Sequence, residues 1–276
     1  MSSDDIDPDQ IPMDDDRDVS PILESWTLEP ETVSARWIAG DDGREMIQLR
    51  IPMGLLQLYP DGRPDGARPE GHDSLLSHLG NLAERQNQVI SREQWFELDR
   101  EVMQYYHRRI ALLSIAETER REQSLERAAA DYARVVRDAD HNIEIMDFIK
   151  KHNQDQEFAQ AHEQYRAFVM GHRTLGVAQY WLCRNEPEEA LVAIQSGLDR
   201  LGRIYDDRGD TDVMRRDPMA SRLVRLAEQI RKDHSIARTL HEELSEAVAT
   251  EQFEKAAQVR DRIRQRLAAM KAPFRP

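Results

Sequence analysis

The chain has 276 residues, of which 33% are charged, 39% apolar and only 6% aromatic, and its mean hydropathy is −0.74. That is enough for one modest core beneath two-faced helices with much wetted surface, and no apolar run approaches the ~18 residues that a membrane span needs. A net charge of −14 repels the phosphate backbone, which argues against direct nucleic-acid binding.

In chain order, residues 1–20 carry Asp4, Asp5, Asp7, Asp9, Asp14, Asp15, Asp16 and Asp18 against Arg17 alone, and they read as a disordered acidic tail. Residues 21–72 read as a small β element followed by a Gly/Pro-rich loop. Val33, Ala35, Trp37 and Ala39 alternate with mostly polar neighbours. Asp41-Asp42-Gly43 offers a turn, and Ile47, Leu49 and Ile51 alternate again, which predicts a β-hairpin. Leu55, Leu56, Leu58 and Tyr59 suit a third strand. The stretch 60–71 is turn chemistry throughout, and its near-repeat of Asp-Gly and Pro presents Arg63 and Arg68.

Residues 73–204 read as an antiparallel helical array. Ser91 with Gln94 forms a capping-box pattern, and Phe96, Val102, Tyr106, Ile110 and Leu113 follow at near-helical spacing. A second helix is expected from Leu125 to Lys150, a third from Phe158 to Cys183, and a fourth from Pro187. The stretch from Leu175 to Leu198 resembles one tetratricopeptide hairpin, with small residues at Gly176, Ala178 and Ala190. A lone repeat favours a plain helical hairpin. Residues 205–217 read as a polar linker. Asp217-Pro218 then starts a helix, and Met219, Leu223, Leu226 and Ile230 step by four and three. Ala237, Leu240, Leu244 and Ala247 continue the phase after an interruption near Asp233, which predicts a long coiled-coil-like helix reaching Ala249 and needing a partner for its stripe.

Thr250 breaks that run, and its hydroxyl is placed to cap the next helix. Phe253, Ala256, Ala257, Arg260, Ile263 and Leu267 share one helical face. Leu240-x-x-x-Leu244-x-x-Ala247-Val248, then Phe253-Glu254-Lys255-Ala256-Ala257, then Arg260-Asp261-x-Ile263 and Leu267 resemble the UVR motif. That two-helix module recurs in UvrB and UvrC of nucleotide excision repair, the ClpC unfoldase and the McsA activator of a protein-arginine kinase. The resemblance spans residues 236–267 and departs at Glu251, where the family usually has an apolar residue. It implies a protein–protein contact, often with another UVR hairpin, through Leu240, Leu244, Phe253, Ala256, Ala257, Arg260, Ile263 and Leu267, and it implies no catalysis. The fold class is thus mainly α: a small N-terminal β-hairpin element, an antiparallel helical array, then a long helix and the UVR helical hairpin over 218–270.

Candidates for chemistry are few, and no cofactor or metal is expected. Asp138, His141 and Glu144 stand three apart on one helix, but a bundle metal site needs a second such motif on a facing helix. His152, His162 and His172 fall ten apart, which rotates them away from one another. Cys183 is the only cysteine; it excludes an internal disulfide and a cysteine-built zinc site, and it reads as a core residue. Tyr105 to Arg109 mix aromatics and positive charge, yet a helix sends them in several directions. Arg63 and Arg68 could hold an anion between glycine-rich turns. The N-terminus has no apolar core of a signal peptide, so a cytoplasmic setting is expected. The leading functional expectation is a non-enzymatic adaptor that docks a UvrB/UvrC-like or a ClpC/arginine-kinase-like partner, as an accessory to excision repair or to Clp-type regulated proteolysis. The alternatives are self-association through 219–267, and a small-molecule or metal-binding enzyme or sensor with its site near the 60–71 loop.

Overall fold

A computed structural model describes residues 18–29, 31–85, 88–207, 209, 211–214 and 216–269. The acidic stretch 1–17 lies outside the described residues. A short helix, α1 (Ser20–Ser25), precedes the sheet. Three antiparallel strands follow in the order β1 (Ala35–Ala39), β2 (Glu45–Ile51) and β3 (Gly54–Leu58). Trp37 pairs with Ile47, and Ile47 with Leu58, so the alternating apolar residues share one face. That face packs on Ala111, Leu112 and Ile115 of helix α3 (Arg92–Arg121) and Val135 of helix α4 (Leu125–His152). The opposite face is polar: Arg36 donates to Gln48 and lies over the ring of Trp26, while Gln48 donates to Gln57. Trp37 Nε1 donates to Asp131 Oδ2 at 2.8 Å, tying the sheet to α4.

The expected helical array follows. Helix α2 (Leu75–Gly80) passes into a π-turn over Asn81–Arg85. The capping box at Ser91 and Gln94 starts α3 as its spacing predicts. The helix expected over Phe158–Cys183 is instead two, α5 (Gln156–Glu163) and α6 (Arg166–Cys183), with the break at Gln164-Tyr165. Helix α7 (Pro187–Asp207) runs past the expected linker boundary. Helix α8 (Thr211–Met214) occupies part of 205–217, and Tyr205 is buried with its hydroxyl 2.6 Å from Asp217. Gly197 lets α7 approach α6, since an added Cβ would lie 2.2 Å from Thr174. Gly176 instead meets Val135, Val136 and the Tyr132 carbonyl of α4. Trp95 packs beside Phe148 and Phe158, and Trp181 beside Tyr180.

Helix α9 (Pro218–Asp233) opens with Asp217 as N-cap, its side chain accepting from the Ala220 N–H. The stripe at Ala220, Leu223 and Ile230 is buried against α6 and α7, with Met219 and Leu226 packed beside it. The partner for that stripe is therefore within the chain. The long helix expected to reach Ala249 is also divided: α9 ends at Asp233, Ser235 takes a left-handed φ of 54°, and helix α10 (Leu240–Ala249) starts afresh from a capping box between Thr239 and Glu242. The last element is α11 (Phe253–Ala269). Among the described residues, no helix is long and apolar enough to cross a membrane.

Candidate functional site

The C-terminal hairpin is closed by local chemistry. The Thr250 hydroxyl does not cap α11; it donates back to the Glu246 carbonyl at 2.7 Å. Glu251 is left-handed (φ 57°), its N–H bonds the Val248 carbonyl, and the Gln252 N–H bonds the Ala247 carbonyl at 2.7 Å. This is a Schellman motif, which ends one helix and turns the chain by satisfying its last carbonyls. Ala247, Ala256, Val259 and Ile263 are buried at 1–8% exposure and fill the seam between α10 and α11. Arg262 of α11 reaches Glu243 of α10 at 3.8 Å. Arg231 of α9 holds Glu242 of α10 at 2.5 Å, tying the hairpin to the helix before it.

The expected docking residues thus divide. Ala256 and Ile263 belong to the hairpin interior and are not available to a partner. Ala257, Leu240 and Leu244 are half-buried. Phe253 is 67% exposed and Arg260 is exposed beside Asp261, at 3.0 Å. The Leu267 side chain lies outside the described residues. Sequence reasoning missed Val259, which is more buried than either Ala256 or Ile263, and Val248, which is 53% exposed near the turn. The signal for Val259 was present: 256, 259 and 263 step by three and four as a core stripe should.

The second candidate, the 60–71 loop, is not an open anion site. Arg63 is 5% exposed and held by Glu97 at 2.5 Å, Asp65 at 3.2 Å and Glu101 at 3.6 Å. Arg68 turns to Asp73 at 2.7 Å. The loop is instead a clasp on the helices. Buried Arg108 makes a two-pronged ion pair with buried Asp138, at 2.7 and 2.8 Å, and donates to the carbonyls of Tyr59 and Gly62. Buried Glu101 accepts from the Leu75 and Leu76 N–H groups and contacts His141, which stacks on Tyr105. These bonds account for the three buried charged side chains, which an apolar site could not otherwise tolerate. They also account for Asp138 and His141 without a metal, while Glu144 points outward. Tyr105, Arg108 and Arg109 are buried, so that aromatic and basic cluster is no external nucleic-acid surface. Cys183 is buried, and burial pushes its thiol pKa up.

Residues 235–265 match the family model described as the UvrB/uvrC motif, a span that takes in all of α10 and most of α11. No curated protein and no solved structure matches the chain.

Proposed function

We propose that this chain is a non-enzymatic adaptor of a bacterial cytoplasm that docks a protein partner through the tip of its C-terminal UVR hairpin. One observation carries this reading: Phe253 stands 67% exposed on a hairpin whose own seam is already filled by Ala247, Ala256, Val259 and Ile263. An aromatic side chain left in water at a turn contributes little to the fold and is well suited to anchor a contact, as aromatic anchors do in interfaces. The partner is a protein bearing its own UVR hairpin, of the UvrB/UvrC or the ClpC/arginine-kinase kind, which places the chain beside excision repair or regulated proteolysis.

The test uses the full-length chain against purified UVR-bearing fragments of UvrB and of ClpC, with affinity measured by calorimetry. Phe253→Ala should weaken binding by about tenfold or more, the ordinary cost of a buried aromatic anchor. Its circular dichroism should not change, because the side chain supports nothing inside. Equal affinity of variant and parent would remove the tip from the interface. Self-association is the second reading. The burial of Leu223 and Ile230 within the chain takes away most of the surface that it would use, and light scattering of the full-length chain decides it.

A further inference from the structure

Between helices α3, α4, α5 and α6 lies a cavity of about 680 Å³, lined by no residue of the hairpin, whose floor holds an unanswered charge. Met146 and Val169 are buried in its wall, and Met103, Tyr165 and Phe168 stand 40–57% exposed at its rim. Arg109 also lines it and is only 1% exposed, yet its Nη1 has no hydrogen-bond partner. Its Nε donates to His172 Nδ1 at a long 3.4 Å, and the Tyr106 ring lies 5.8 Å from the guanidinium. The carboxylate whose charge acts on it, Asp138, is committed to Arg108. A second polar atom in the same wall is also unanswered. Asn142 donates from Nδ2 to the Val102 carbonyl, which fixes its amide, and its buried Oδ1 accepts nothing.

Buried cations are ordinarily paired, because leaving one unpaired costs several kilocalories. Burial accordingly lowers the Arg109 pKa to about 10. The size of the cavity is ordinary for a small-molecule site, and its pattern of apolar walls with few convergent polar groups is the usual one. We propose that this cavity binds a small aromatic monocarboxylate carrying a hydrogen-bond donor beside the acid, with the carboxylate on Arg109 Nη1, the donor on Asn142 Oδ1 and the ring among Met103, Tyr165 and Phe168. A single guanidinium answers one negative charge. Asp99 at the mouth, which already holds His162 at 3.0 Å, opposes a multiply charged anion. This site is independent of the docking hairpin, and either stands if the other fails.

The full-length protein is titrated by calorimetry with N-acetyl-phenylalanine, with its uncharged carboxamide and with inorganic phosphate. The acid should bind, the carboxamide should bind at least about tenfold more weakly, and phosphate should give no heat. Arg109→Met should abolish binding of the acid without lowering the melting temperature, since it removes an unpaired buried charge. Should that variant fail to fold, Phe168→Ala, at the exposed rim, should weaken the acid by about threefold or more through lost ring contact. The proposal is overturned by no binding of the acid, by equal binding of acid and carboxamide, by phosphate binding as well as the acid, or by undiminished binding in a folded Arg109→Met or Phe168→Ala variant.

Discussion

His172 is held neutral by its surroundings. Burial, then the positive charges of Arg109 and Arg222, push its pKa down to about 3. The unfolded chain takes up this proton near the ordinary value of about 6.5, so between those limits the unfolded state binds more protons. Stability from this group is complete above that value and drains away as the pH falls toward 3, by about 1.4 kcal/mol per pH unit at most. Glu119 acts with the opposite sign, since burial raises its pKa to about 7 and its contribution is lost as the pH rises through that value. A comparison with His172→Gln isolates the histidine. The unfolding free-energy difference between parent and variant, from urea melts, should be flat above pH 7 and shift steadily in the variant's favour between about pH 6.5 and 4. A difference that stays constant across that range would rule out a buried neutral imidazole. The histidines ten residues apart are unrelated to one another, as their rotation requires. Each packs at a tilt against a phenylalanine four residues earlier, with ring centroids 4.6, 4.5 and 4.3 Å apart for His152, His162 and His172. That pairing is legible at helical spacing once sought. The fate of Arg63 was not, because two of its three carboxylates, Glu97 and Glu101, lie on α3, more than thirty residues away.

Four helices end in the same device. Gln123, Asn185, Ser235 and Glu251 each take a left-handed φ of 54–64°, and each is followed by the long-range N–H bond of a Schellman motif. Glycine is the usual occupant of that position, and none of the four is glycine. The Glu251 conformation costs an ordinary residue about 1 kcal/mol or more, part of which glycine returns as unfolded-chain entropy. Glu251→Gly should therefore stabilise the α10–α11 turn by about 0.5–1 kcal/mol, read as slower amide exchange in α11. Unchanged or faster exchange would mean that the glutamate side chain supports the turn. The same four residues explain what was legible. Helix starts were visible in Ser91, Pro187 and Asp217, because caps and N-terminal prolines are written in residue type. The break at 234–239 showed only as an interruption of the apolar seam near Asp233, because Ser235 itself carries no stop signal. Strands and their inward faces were legible because alternation and the Asp-Gly turn agree.

At the scale of the molecule, the hairpin and the body differ in how they are held. The body interlocks residues distant in sequence through the Arg108–Asp138 clasp and the shared core of α6, α7 and α9. The hairpin closes on neighbours within thirty residues and joins α9 through Arg231. Local structures with few buried contacts open most readily. Amides of α10 and α11 should exchange faster than those of α4 and α6, and a bound partner should slow the former alone. Uniform protection would show that the two parts unfold as one. The candidate surface was only partly legible, since its segment was identified but two members of its expected face, Ala256 and Ile263, lie in the hairpin seam. The buried stripe is centred toward Val259, so Phe253 and Arg260 sit at its margin rather than its middle. The tryptophans follow the same division. Trp26 lies against Arg36, Trp37 on Asp131, Trp95 against Phe148 and Trp181 against Tyr180, all before residue 182. Tryptophan fluorescence is therefore blind to the hairpin while far-ultraviolet ellipticity registers both parts, so the gap between the two melting curves is itself a signal from the module that carries no tryptophan.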